Sequence, residues 1–95
     1  MKIQVEHPYI TVEQGICGGN PIIKGTRIPV WAIIGYHKDL NYTIEEILKE
    51  LPILTPAQVY DALSFYYDHR EEIDRELESN SDEAYWKRVA LGDEV

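Results

Sequence analysis

Three histidines and one cysteine are the side chains of this chain best suited to chemistry, and their spacing argues against it. None of His7, His37 and His69 has another histidine or a cysteine at the spacing of a metal-ligand set, so neither a metal nor a cofactor is expected. Cys17 lies in a glycine-rich turn with no neighbouring base to take its proton, which makes it a poor nucleophile. Gly18-Gly19-Asn20 and Lys24-Gly25-Thr26 invite comparison with a phosphate-binding loop. That loop needs lysine and a hydroxyl residue directly after its last glycine, whereas Lys24 precedes Gly25. The glycines are expected to form a turn and a backbone bend instead. No pair of ionisable groups stands where one would activate the other, so no enzymatic activity is expected.

The side chains available for binding say more. A helix that reads DNA offers arginine, lysine, asparagine or glutamine to base edges. The helix expected to follow Thr55 presents Ala57, Gln58, Tyr60, Asp61 and Ser64 early, and only Gln58 among them is a good base reader. Lys24, Arg27, Lys38 and Lys49 lie outside that helix, where they suit phosphate contacts. The candidate DNA-contacting set is therefore Lys24, Arg27, Lys49, Thr55 and Gln58. Asp61 works against it unless paired with a base.

Charge points the same way. The chain has 17 acids against 9 bases and a net charge of −8. Most of the excess lies beyond residue 60. Binding to phosphates depends on lysine and arginine displacing counterions, so residues 61–95 are excluded as a general nucleic-acid surface. They suit a solvated helix or a basic protein partner. Tyr60, Phe65, Tyr66, Tyr67 and Trp86 make this half aromatic. Tyr66 is expected in the core, and others in a contact with a second subunit or a partner. Near the end, Tyr85, Trp86, Val89 and Leu91 form a candidate partner-binding face among Asp82, Glu83, Asp93 and Glu94. The alternative is that Trp86 packs back on the third helix.

These residues need elements to position them, and 95 residues make one domain. No apolar run reaches the ~18 residues of a membrane span. An acid at Glu6, in place of an export signal, and a single cysteine fit a cytosolic protein without membrane association. Residues 1–28 read as a β arm: short strands over 2–12 broken by Pro8, a turn at 15–21, and a strand over 22–28 kinked at Gly25. Helical patterning starts with Pro29 at the first helical position and ends near Asp39-Leu40-Asn41. Thr43-Ile44-Glu45-Glu46 and Thr55-Pro56-Ala57-Gln58 are capping boxes that open two further helices around a turn at Leu51-Pro52-Ile53-Leu54. Val59, Leu63, Tyr66, Arg70, Ile73 and Leu77 form a seam that predicts one long third helix to about Glu78. The expected architecture is mainly α: a three-helix, homeodomain-like helix-turn-helix unit over 29–78, with an N-terminal β arm or hairpin. A partner-binding segment, 79–95, follows it. Such a unit commonly works as a homodimer.

The run from Cys17 to Val30, with Gly18-Gly19-Asn20-Pro21 and Gly25-Thr26-Arg27-Ile28-Pro29, resembles the signature of the domain-of-unknown-function family 433. Tyr42–Ile47, Leu51–Leu63 and Tyr66–Ile73 extend the resemblance over about residues 10–77. It implies a homeodomain-like fold behind a β arm and a likeness to VapB-type antitoxins, which are often encoded beside a PIN-like ribonuclease. It implies no enzymatic activity and no cofactor. Asn20 departs from the lysine common at that position, which removes one base from the arm. The expected function is that of an antitoxin: the three-helix unit binds operator DNA, and the C-terminal segment blocks a PIN-like ribonuclease. A stand-alone transcription regulator is the alternative.

Overall fold

In the computed structural model, which describes residues 6–80, the fold is organised around its most hydrophobic helix. α1 (Val30–Ile34) reads Val-Trp-Ala-Ile-Ile and has no polar side. Such a helix must be covered all round, and all five residues are buried. It continues as a π-helical turn over Gly35–Asp39, closed by the Leu40 N–H on the Gly35 carbonyl, and the chain then turns at Asn41 with a left-handed φ of 58°. The helix thus ends where the sequence predicts. Pro29, however, is not its first residue. It has extended backbone (φ −75°, ψ 149°) and caps the helix from one position earlier.

α2 (Ile44–Glu50) and α3 (Pro56–Asp68) start at the predicted capping boxes. The Thr43 hydroxyl accepts from the Glu46 N–H at 3.2 Å, and Glu46 accepts from the Thr43 N–H at 2.8 Å. α2 turns Ile47 inward and stops at the buried Leu51, ahead of Pro52. α3 packs along α1 with Val59, Ala62 and Tyr66 in the core.

The long third helix is the main correction. The chain breaks at His69 (φ −136°, ψ 46°), and α4 (Arg70–Ser79) begins anew. The seam expected to be continuous loses Arg70, which is exposed, while Ile73 and Leu77 stay buried. Length supplies the reason. An unbroken helix over residues 56–79 would run about 36 Å, whereas α1 with its π turn spans only about 15 Å. The break turns α4 back so that Ile73 and Leu77 meet α1.

The arm is a hairpin, shorter than predicted. β1 (Ile10–Thr11) pairs antiparallel with β2 (Ile22–Ile23), in the register Ile10 to Ile23 and Thr11 to Ile22. The expected strand over 22–28 is instead a second reversal: the chain turns at Gly25 (φ 83°) and Pro29 comes back to bridge Ile22. Only glycine adopts that φ without steric cost. The Thr26 hydroxyl donates to the Ile23 carbonyl at 2.8 Å and accepts from the Ile28 N–H at 3.0 Å, which locks the turn. The Gly-Thr-Arg motif therefore delivers Ile28 and Val30 to the core.

Candidate functional site

α3 opens at two of the candidate contact residues, Thr55 and Gln58. At its start the Thr55 hydroxyl accepts from the Gln58 N–H at 3.3 Å, and Gln58 Oε1 accepts from the Thr55 N–H at 2.8 Å. A glutamine that reads adenine must offer both its amide oxygen and its amide N–H groups. Here the oxygen is already engaged in the cap. Lys24 and Lys49 stand exposed, each on its own segment. Arg27 comes closer to the helices: the Gly25–Ile28 turn and Ile53, from the turn between α2 and α3, line one open groove. The structure thus joins Thr55 to Gln58 and brings Arg27 beside the inter-helix turn. Tyr85, Trp86, Val89 and Leu91 lie outside the described residues.

A latch on α3 was not foreseen. His7 inserts its ring between two carboxylates of that helix. Its Nδ1 is 3.1 Å from Asp61 Oδ1, and its Nε2 is 2.7 Å from Asp68 Oδ2. The Tyr9 N–H donates to the other Asp61 oxygen at 2.8 Å. The ring stands edge-on to Phe65 at 5.2 Å, and Phe65 stacks on His69 at 4.3 Å. Only the imidazolium can donate from both nitrogens at once. Burial of the ring works against the charged form, but the hydrogen bonds to Asp68 and Asp61, with their charges, outweigh it and hold the His7 pKa above its ordinary value. The base that Asp61 needed is therefore a histidine of the arm. The nearest sequence signal is the spacing of Asp61 and Asp68, which puts both on one side of a helix two turns apart.

The outward face of the helix is different. Ala57, Tyr60, Ser64 and Tyr67 follow at helical spacing and are all exposed, Tyr60 and Tyr67 by 58% and 59%. This ridge carries no charge. The two acids of α3, Asp61 and Asp68, both bond His7, Asp68 from an exposed position. Such a surface offers a phosphate hydroxyl groups but no cation of its own, and it suits an apolar protein face.

The Cys17 thiol is buried and donates to the Arg27 carbonyl at 3.2 Å. Burial pushes its pKa up against the opposing charge of Arg27, so the thiol keeps its proton. Among the described residues no group of three or more histidine, cysteine, aspartate or glutamate side chains could hold a metal ion. Among them, too, no helix is long and apolar enough to cross a membrane.

These features define a small, mainly α protein whose N-terminal hairpin is latched onto its third helix. The family model described as "Protein of unknown function (DUF433)" matches residues 10–66, and the chain belongs to that family. A DUF433 member protein from Anabaena variabilis ATCC 29413, known from a crystal structure, is similar to it at 36% sequence identity. The match covers 73% of this chain and 67% of that one, with a TM-score of 0.68. No curated protein matches the chain.

Proposed function

We propose that the chain is a non-enzymatic protein-binding module, the antitoxin half of a toxin–antitoxin pair. In this reading two copies meet through the ridge of α3, and segment 79–95 neutralises a PIN-like ribonuclease through Tyr85, Trp86, Val89 and Leu91. The observation that carries it is the ridge itself: along it, the helix that would read DNA exposes two tyrosines, an alanine and a serine, and the helix has no lysine or arginine. Likeness to VapB-type antitoxins supplies the partner class. The test is co-expression with the product of the adjacent reading frame, using the full chain and a chain ending at Ser79. The full chain should copurify with that product and relieve its toxicity, and the shortened chain should not. Full neutralisation by the shortened chain would sink the role given to the segment.

Operator binding is a second reading, favoured by the position of Arg27 beside the turn between α2 and α3. Lys24, Arg27 and Lys49 would then hold phosphates, and Gln58 would read a base once its cap opens. Replacing Lys49 by alanine should weaken binding to all sequences and reduce the salt slope by about one. No binding of upstream DNA at 50 mM salt would remove this role and leave the protein contacts.

A further inference from the structure

In a chain with 17 acids and 9 bases, a cleft without an acid in its lining is out of keeping with the composition. One such notch lies where the end of α1, the end of α3 and the start of α4 meet. It is lined by His37, Lys38, Asn41, Tyr66, Tyr67 and Arg70. The cleft on the other side of Lys38 is lined by Asp39, Asp74 and Glu78, which makes the contrast local.

Asp74 engages Lys38 and the Tyr66 hydroxyl, which leaves Arg70 as the charged donor of the notch. The Arg70 guanidinium lies over two rings, 5.9 Å from the centroid of Tyr66 and 5.8 Å from that of Tyr67. Cation–π attraction holds the guanidinium near the rings without using its N–H groups. Among the described residues no carboxylate forms a salt bridge with it. Lys38 is anchored by Asp74, whose Oδ1 accepts from Nζ at 3.1 Å and from the Tyr66 hydroxyl at 2.9 Å. His37 Nδ1 is buried and has no hydrogen-bond partner among the described residues. Asn41 is held at the rim by its left-handed backbone.

From these observations we infer that the notch binds a carboxylate, presented by an acidic residue of a peptide segment. The Arg70 fork matches the two oxygens of a carboxylate, and the Asn41 amide supplies a further donor. Ligand charge decides between oxyanions. Asp39 and Asp74 stand just across Lys38 and offset its charge, so a monoanion is enough to balance the Arg70 guanidinium. Tyr67, 59% exposed, adds an apolar wall for the residue next to the acid, which a free small acid would not use.

The test is a nuclear magnetic resonance titration of the full chain, following the Arg70 side-chain N–H and the backbone amides of His37 and Asn41. The probes are a blocked pentapeptide with a central glutamate beside leucine, the same peptide with glutamine, sodium acetate and inorganic phosphate. The glutamate peptide should shift these signals saturably, and the glutamine peptide should not. Replacing Arg70 by glutamine should weaken binding about tenfold, while Arg70→Lys, which keeps the charge but not the fork, should recover only part of it. Arg70 is exposed, and an unchanged spectrum elsewhere will show that the fold survives. Shifts with acetate equal to those with the glutamate peptide would keep the carboxylate site and overturn the peptide as its source. No shifts with either carboxylate, or shifts with phosphate alone, would overturn the site.

Discussion

At the scale of single residues, Glu76 departs furthest from ordinary behaviour. It lies on α4 in a cleft shared with Asn20 and Glu72, and its Oε1 is buried without a hydrogen-bond partner among the described residues. Burial, and then the charge of Glu72, push its carboxyl up to about 7, against the pull of Arg75. In the unfolded chain the same group titrates near 4.5. Between the two values the folded protein keeps a proton that the unfolded chain releases, so stability falls as pH rises through that window. The full shift would correspond to about 3 kcal/mol. The side chain is still partly exposed, and solvent screening reduces the effect to about 1 kcal/mol. Glu76→Gln removes the ionisation. The variant is expected to be more stable than the parent by about that amount at pH 8 and equal to it at pH 4, where both side chains are neutral. Urea denaturation at the two pH values measures this. An equal gain at both would show that packing, not titration, changed.

At the scale of elements, the question is what ties the hairpin to the helices. Its apolar part is Ile23 and Ile28 in the common core, and its polar part is the latch. A histidine with a raised folded-state pKa binds its proton more tightly folded than unfolded. Its contribution to stability is complete below about 6.5 and is lost as pH rises through the higher folded value. His7→Ala should therefore lower the thermal midpoint most near pH 6 and progressively less toward pH 9. A difference that does not depend on pH would mean that the ring acts only by packing on Phe65. Elements of this fold differ in how far the sequence discloses them. Both capping boxes were readable because a cap is written in four consecutive residues, as in Thr43–Glu46 and Thr55–Gln58. The seam of α3 was readable by period. The break at His69 was not, because it answers to the short length of α1, a tertiary fact, while Arg70 keeps the helical spacing. The latch was hidden for a similar reason: its partners lie 54 and 61 positions from His7. The candidate contacts show a further limit. Thr55 and Gln58 were found as a cap and as candidate contacts, but nothing local shows that the cap occupies the oxygen a base would need.

At the scale of the whole molecule, charge sets the condition that the proposed dimer has to meet. Each carries −8, so two copies repel at low ionic strength. Contact is easiest where that charge is absent, and the ridge of Ala57, Tyr60, Ser64 and Tyr67 is such a place, with Asp61 and Asp68 drawn toward His7. Aromatic side chains with neutral neighbours are what subunit contacts favour. Added salt shortens the screening length from about 14 Å at 50 mM to about 6 Å at 300 mM, so it lowers the repulsion and leaves the apolar contact intact. A dimer through the ridge should therefore tighten as salt rises. DNA binding through Lys24, Arg27 and Lys49 must weaken over the same range, because counterions are released on binding. The two readings thus have opposite signs in one variable. Sedimentation of the full chain at tens of micromolar, at both salt concentrations, measures the first. The dimer fraction should increase with salt, and Tyr60→Asp, which restores an acid to the ridge, should abolish it without unfolding an exposed position. A monomer at both concentrations would remove the dimer. A dimer that ignores Tyr60→Asp would place the contact elsewhere and leave the ridge free for a different protein.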